Sequence, residues 1–417
     1  MTDVSIPPQP WMGASATRAV MTALEAAGGS DCARFVGGCV RNALLGRPVD
    51  DIDIATTLTP DQVMQALTDA GVRWAPTGVE HGTVTAIAEG LPYEITTLRR
   101  DVSTDGRRAV VAFSQDWAED ARRRDFRLNA LYMDGEGRVF DPLGHGVSDA
   151  KAGRIVFVGD PITRIREDYL RILRFFRFQA WYGRGEPDPA AVAACKALKG
   201  MLSGRSAERT SKELLKLLAA EDPRAAVALM RDTGVLAAIL PEAAPERFNA
   251  LVEIETGKLY ENDPELRLAA LLPQDAGEAI RVAERLRLSN AQRDRLAAAL
   301  ASEPRIVAWL SPRAVRRAVY RLGVRATHDR IKLAWAAAPQ AKLAGQWRKL
   351  LALAESWSPP EFPLTGDDVI AAGLPKGPLV GRALKEVEDW WVDEDFPIDR
   401  TLALAQLKRV TLGLGEA

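Results

Sequence analysis

β-Strand signals in this 417-residue chain stop near residue 147, and that boundary limits the possible folds more than any other feature. Before it, short apolar runs alternate with turn residues. Residues 34–36, 51–54, 83–87, 93–98, 110–113 and 131–133 have the composition and alternation of strands. Residues 14–26, 38–45 and 60–70 have helical spacing, the last opened by Thr59 as a cap and Pro60 in the first turn. After the boundary β-branched runs are scarce, and alanine and leucine dominate. Helical spacing recurs over 163–182, 188–202, 206–220, 223–235, 245–255, 264–271, 276–288, 290–301, 312–321 and 328–355. The chain is therefore expected to be α+β, a mixed head followed by an all-helical assembly. At roughly 100–200 residues per domain, the length allows two to four domains.

Charge and cysteine content exclude several classes. The chain has 55 Lys+Arg against 56 Asp+Glu, a net charge of −1. A uniformly basic coat is ruled out, so any polyanion must be held by local patches. Cys32, Cys39 and Cys195 form no CxxC pair, which argues against a structural zinc or a disulfide framework and for a reducing compartment. The histidines, His81, His145 and His328, are too dispersed for a multi-histidine metal centre. No apolar run approaches the roughly 20 residues of a membrane span. The N-terminus MTDVSIPPQPW lacks the basic and apolar parts of a signal peptide. A cytoplasmic location without a membrane partner is expected.

Five constellations could carry chemistry. Gly37-Gly38-Cys39-Val40-Arg41 joins a strand to a helix. Its glycines let backbone approach an anion closely, with Arg41 in reach of phosphate. In Asp50-Asp51-Ile52-Asp53-Ile54, strand alternation aims Asp51 and Asp53 the same way. Adjacent carboxylates repel unless a cation lies between them, and their oxygen donors suit Mg²⁺ completed by substrate phosphates. Glu94, inside the strand Tyr93–Leu98, becomes a third carboxylate if that strand lies beside the first. Such a cluster would activate a ribose 3′-hydroxyl for attack on an α-phosphate.

Arg122-Arg123-Arg124-Asp125-Phe126-Arg127-Leu128-Asn129 sets Asp125 and Asn129 among arginines. This pattern suits a sugar hydroxyl, with Arg124 on a triphosphate. In Glu167-Asp168-Tyr169-Leu170-Arg171, followed by Arg174 and Arg177, helical spacing places Asp168 and Arg171 on one face. Cytosine and adenine each present an amino donor beside a ring-nitrogen acceptor. One carboxylate beside one arginine would accept both and reject guanine and uracil. Each pattern also has a plain structural reading, as a turn, a solvated face or an intrahelical ion pair.

GGCVRNALLG, DDIDIAT, YEITTLRRDVSTDGR, RRRDFRLNALY, DPLGHGVSD and IREDYLRILRFFRF, in this order over about residues 33–182, resemble the class II tRNA nucleotidyltransferases. These CCA-adding enzymes are grouped with bacterial poly(A) polymerases in the polymerase-β superfamily. SAERTSKELLKLL at 206–218 resembles the family's next helical motif. The resemblance implies a nucleotidyltransferase head (1–146), a helical neck carrying base recognition (147–220), a body (221–305) and a tail (306–417). It implies Mg²⁺ on Asp51 and Asp53, with Glu94 as the third carboxylate. It also implies triphosphate and ribose contacts from Gly37, Gly38, Arg41, Arg124, Asp125 and Asn129. Asp168 and Arg171 match the pair that selects the base, and Arg174 and Arg177 extend it. Asp141 and Gly144 match a hinge, and residues 99–108 a flexible loop. Asn42 stands where the family usually has Asp.

The implied activity is addition of CCA to tRNA from CTP and ATP. A poly(A) polymerase or A-adding enzyme is the near alternative, and a non-catalytic RNA-binding protein the distant one. For RNA, the candidate surface is the basic stretch 312–350. Its Arg313, Arg316, Arg317 and Arg321 share a helical face, with Asp329 as the sole acidic counterweight in sequence. The glycine-bounded turn 373–381 is a second candidate. His328-Asp329 is the only pair resembling an HD phosphohydrolase site. It is expected to be ordinary helix surface, without such a metal site.

Overall fold

The structure, a computed structural model, describes residues 4–105, 108–204 and 206–415. It divides into two compact units, Met1–Pro241 and Glu242–Ala417. The expected head and neck segments fall in the first unit and the expected tail in the second. The division runs through the helices expected to form the body.

The first unit is built on an eight-stranded sheet. Its strands are β1 (Val4–Ser5), β2 (Ala33–Val36), β3 (Ile52–Thr56), β4 (Arg73–Gly78), β5 (Thr83–Ala88), β6 (Leu91–Thr97), β9 (Tyr132–Met133) and β10 (Arg138–Phe140). β7 (Arg99–Asp105) and β8 (Arg108–Phe113) form a separate ladder. The order across the large sheet is β1-β10-β9-β2-β3-β6-β5-β4. Sequence reading missed β1, β4 and β10. β1 and β4 are the two edges, where polar residues and Pro76 are tolerated because few ladder bonds are needed. β10 is only three residues long.

Helices Ser15–Gly28 and Pro60–Asp69 cover one sheet face. Val20, Leu24, Val63 and Leu67 join Phe35, Ile54, Val84 and Ile95 in one buried core. The second helix starts where its cap requires, because Thr59 and Gln62 form a reciprocal capping box. Strand alternation then leaves Asp53, next to buried Ile54, on the opposite face.

Three expectations about secondary structure need correction. First, the stretch 99–108, expected as a flexible loop, is laddered with the strand that follows it in its described residues: Arg99 pairs with Phe113 and Asp105 with Arg108. Residues 106–107 lie outside the described set. Second, the expected helix over 163–182 is two, Pro161–Glu167 and Arg171–Tyr182. Asp168 breaks it with extended backbone (φ −150°, ψ 106°). Its carboxylate accepts from the Leu170 N–H at 3.1 Å and its carbonyl from the Arg171 N–H at 2.9 Å. Asp168 thus ends the first helix and ties down the turn before the second, and it shares no helical face with Arg171. Third, the expected helix 328–355 is Val324–Ala337 and Ala344–Ser356, interrupted around Pro339, which lacks the donor a continuous helix needs.

The described residues after 146 are helical, apart from turns and a single bridge from Phe157 to Phe126. In the second unit His328-Asp329 is not surface. Asp329 is buried and accepts two hydrogen bonds from Arg295, at 2.8 and 3.0 Å.

Candidate active site

The glycine turn follows directly from β2. Gly37 has φ 71° and ψ −114°, a backbone that glycine adopts without a Cβ penalty. Its N–H donates to the Leu131 carbonyl at 3.1 Å, tying the turn to the strand β9 side of the sheet. Gly38 opens the helix Gly38–Leu44, which carries Arg41. The Arg124 guanidinium lies 3.5 Å from where a Gly37 Cβ would stand. A side chain at 37 would therefore meet it.

The carboxylates sit beside this turn. β3 and β6 run parallel, and their register sets Asp53 opposite Glu94. On the other side of β6, Glu94 faces Thr85. Asp51 lies just before β3 and is exposed, as is Glu94. Burial pushes the Asp53 carboxyl up to about 6, reinforced by the charges of Glu94 and Asp51, while Arg124 opposes the rise. The strands are adjacent, as sequence reading required, and on this acidic edge Asp53 feels the charges of both Glu94 and Asp51, but the three carboxylates do not close into the expected cluster. Among the described residues no three acidic, histidine or cysteine side chains converge into a ready-made metal centre. The edge nonetheless fits a divalent cation. Mg²⁺ commonly takes one or two protein carboxylates and completes its shell from substrate phosphates and water.

The basic residues are organised differently. Arg124 donates to Asp120 at 3.0 and 3.2 Å, and the Tyr132 hydroxyl donates to the same oxygen at 2.6 Å. Burial opposes ionisation of Asp120, but Arg124 and Arg123 hold its carboxyl below the usual range. From Arg41 a chain of contacts runs across the unit. Arg41 donates to the Asn129 side chain at 2.5 Å, and Asn129 to Asp125 at 3.1 Å. Asp125 accepts from Arg174 at 2.7 Å. Arg174 lies 3.8 Å from Glu213, which accepts from Arg177 at 2.6 Å. Burial works against the Asp125 charge, yet Arg174 and Asn129 hold its carboxyl below the ordinary range.

Asp168 and Arg171 are each held by another partner. Asp168 accepts from Arg209 at 2.7 Å. Arg171 pairs closely with Glu167 and donates to the Arg164 carbonyl at 2.9 Å.

Sequence reading had not singled out Asp120, Tyr132, Tyr182, Arg209 or Glu213 as site residues. Asp120 was findable, since it lies on the helix Trp117–Arg122 four residues before Arg124, which follows the helix end. Tyr182, Arg209 and Glu213 carry no local signal, because their partners are remote in sequence. Asn42 accepts from Arg41 at 2.9 and 3.2 Å and donates to the Pro48 carbonyl at 2.8 Å. It orders the turn.

The basic face of Pro312–Leu322 is not a free row of cations. Arg316 pairs with Asp395, Arg317 with Asp393 at 2.7 Å and Arg321 with Asp389 at 3.1 Å. Arg313 is exposed. The acidic counterweight is supplied by Pro378–Asp393 and the turn after it, some seventy residues on, so sequence proximity could not show it. The segment 373–381 does contain a turn, between Gly366–Ala371 and Pro378–Asp393.

Comparison with known proteins decides the family. The Poly A polymerase head domain matches residues 33–156, and a probable RNA- and SrmB-binding site of polymerase A matches 186–247. The mitochondrial CCA tRNA nucleotidyltransferase 1 of Mus musculus is 32% identical over 402 residues, 90% of this chain and 86% of that protein. The CCA-adding enzyme of Levilactobacillus brevis is 31% identical, covering 93% and 96%. The chain belongs to the CCA-adding tRNA nucleotidyltransferases. The Bacillus stearothermophilus CCA-adding enzyme, solved with CTP, superposes with a TM-score of 0.77 at 27% identity, over 98% of this chain and 100% of that one. The fold extends to the Thermotoga maritima CCA-adding enzyme, at 20% identity and a TM-score of 0.66. The glycine turn, the acidic edge and the Arg41, Asn129 and Asp125 half of the arginine relay of this nucleotidyltransferase fall within the matched head domain. Arg174, Arg177 and Glu213 come from the helices that follow it.

Proposed function

We infer that this chain adds C, C and A to the 3′ end of tRNA from CTP and ATP, without a nucleic-acid template, releasing diphosphate at each step. One observation carries the reading: the parallel register that sets Asp53 beside Glu94, next to the Arg124 and Arg41 side of the glycine turn. In this reaction the terminal ribose 3′-oxygen bonds to the α-phosphorus of the incoming nucleotide, and the bond to diphosphate breaks. Asp51 and Asp53 would hold Mg²⁺, with Glu94 as the third carboxylate. A bound cation there supplies positive charge at the reacting oxygens and favours loss of the 3′-hydroxyl proton. Arg41 and Arg124, around Gly37 and Gly38, bind and orient the triphosphate. Their charge stabilises negative charge on the leaving diphosphate. Asp125 and Asn129 meet the ribose, and Arg174 and Arg177 line the approach of the base.

Asp168 and Arg171 select the base. Each is held by a partner, Arg209 and Glu167, so reading cytosine or adenine requires an exchange of those contacts for the base edge. The cysteines are free and buried, in keeping with a reducing cytoplasm.

The test uses tRNA transcripts ending at the discriminator base, at C and at CC, supplied with Mg²⁺ and with CTP, ATP or both. Growth to CCA followed by a stop on every substrate is the expected result. A long A ladder with ATP alone would assign the chain to poly(A) synthesis. Addition of a single A to the CC substrate only would make it an A-adding enzyme.

A further inference from the structure

Arg41 is nearly buried, at 7% exposure, and is held from two directions. On one side stands Asn129, from the head. On the other stands Tyr182, the last residue of the helix Arg171–Tyr182 and 141 positions away in sequence. The Tyr182 hydroxyl accepts from Arg41 Nη2 at 2.7 Å and donates to Asn42 Oδ1 at 3.0 Å. Asn42 Oδ1 in turn accepts from Arg41 Nε and Nη2. The phenol ring lies face-on to the same group, with the Arg41 guanidinium carbon 4.1 Å from its centroid and that of Arg47 at 4.8 Å. Phe178, one turn earlier, stacks on the ring at 5.8 Å.

This arrangement does more than pack. A guanidinium has five N–H donors in one plane. Asn42, Asn129 and Tyr182 take up to four of them, which fixes the plane and leaves an Nη1 N–H for a ligand. Burial lowers the pKa of Arg41, and Tyr182 is the strongest influence against that lowering. An arginine so held meets a polyanion without first losing rotamer freedom, which is where preorganisation adds affinity.

We propose that Tyr182 is a positioning residue for triphosphate binding, acting through Arg41 by fixing its guanidinium beside the glycine turn. The proposal rests on the reading that Arg41 meets the triphosphate. It separates two jobs along one helix. The start, at Arg171, faces the choice of base. The end, at Tyr182, serves a group common to every nucleotide. Loss of the Tyr182 hydroxyl should therefore weaken CTP and ATP equally and leave the choice between them unchanged.

The test compares wild type, Tyr182→Phe, Arg41→Gln and the double variant in the full chain. Equilibrium binding of CTP and of ATP, KM and kcat for one-nucleotide addition, and the thermal midpoint are measured. Tyr182→Phe keeps the ring, so the fold should persist with only a small fall in its midpoint. Both nucleotides should bind about tenfold more weakly, the scale of one hydrogen bond to a charged group. KM should rise for both, with kcat within about twofold of wild type, as for an interaction made before chemistry. In the Arg41→Gln background the Tyr182 change should add no further loss, since coupled residues are non-additive. Unchanged nucleotide binding in Tyr182→Phe alongside weakened binding in Arg41→Gln would overturn the proposal. So would fully additive losses, or a change confined to one nucleotide. Wild-type binding by Arg41→Gln would instead sink the triphosphate reading of Arg41, and the role of Tyr182 would fall with it.

Discussion

The two halves of the candidate site are charged in opposite ways and are satisfied in opposite ways. On the acidic edge, Asp53 feels the charges of Glu94 and Asp51, and Arg124 is the cation opposing the rise there. On the basic side, Arg41, Arg174 and Arg177 are threaded through Asn129, Asp125 and Glu213 by hydrogen bonds and, between Arg174 and Glu213, an ion pair at 3.8 Å. The basic side is preorganised by the protein itself. On the proposed reading, the acidic edge gains from a bound divalent cation. The contrast explains why removing one group should have different consequences on the two sides. Loss on the acidic edge affects chemistry while relieving repulsion. Loss in the arginine line affects both binding and fold.

Each prediction presses on that contrast, in order of decreasing effect. Chelation of divalent cations should abolish nucleotide addition, and Mg²⁺ should restore it, while the thermal midpoint hardly moves. A large fall in midpoint would show instead that the acidic edge is structural. Asp125→Ala strands Arg174 and Asn129 together. With Arg174 partly exposed, it should cost about 2–3 kcal/mol of stability by denaturant unfolding. It should also depress addition of both C and A; a stability change near zero would mean that the line is not coupled. Glu94→Gln should relieve repulsion at Asp53, leave stability unchanged or slightly higher, and slow addition about ten- to a hundredfold in single-turnover assays. Asp168→Ala should blur the preference for C and A over U and G by about tenfold, the effect of roughly 1.4 kcal/mol. Since its pair with Arg209 is exposed, its stability cost should stay under about 1 kcal/mol. Unchanged nucleotide choice would remove Asp168 from base selection. Arg316→Ala, in a pair with Asp395, should shift stability by about 0–1 kcal/mol and leave tRNA affinity within about twofold. A severe loss of tRNA binding would restore the basic-face reading.

What the sequence showed and what it hid follow the range of the interaction concerned. The helices over 60–69 and 207–218 were legible because their signals are local: Thr59 and Ser206 cap them, and their apolar residues repeat at helical spacing. The acidic edge was legible up to one condition, the adjacency of two strands, which β3 and β6 meet. The break at Asp168 was not read, although an aspartate that can cap its own following backbone is a recognisable interruption. Tyr182 and Glu213 could not be found from spacing at all. Each acquires its place by packing a helix that follows the head domain against partners fixed elsewhere. The acidic partners of the basic helix 312–322 were hidden for the same reason, since Asp389 and Asp393 stand far on in the sequence.

The central claim is that the acidic edge carries the transfer and the arginine line holds the nucleotide. Asp53→Ala tests it most directly, with CTP addition and tRNA and CTP binding measured on the same preparation. The account predicts that addition disappears while tRNA binding stays near wild type and CTP still binds. Addition surviving in Asp53→Ala, or lost together with tRNA binding, would contradict it.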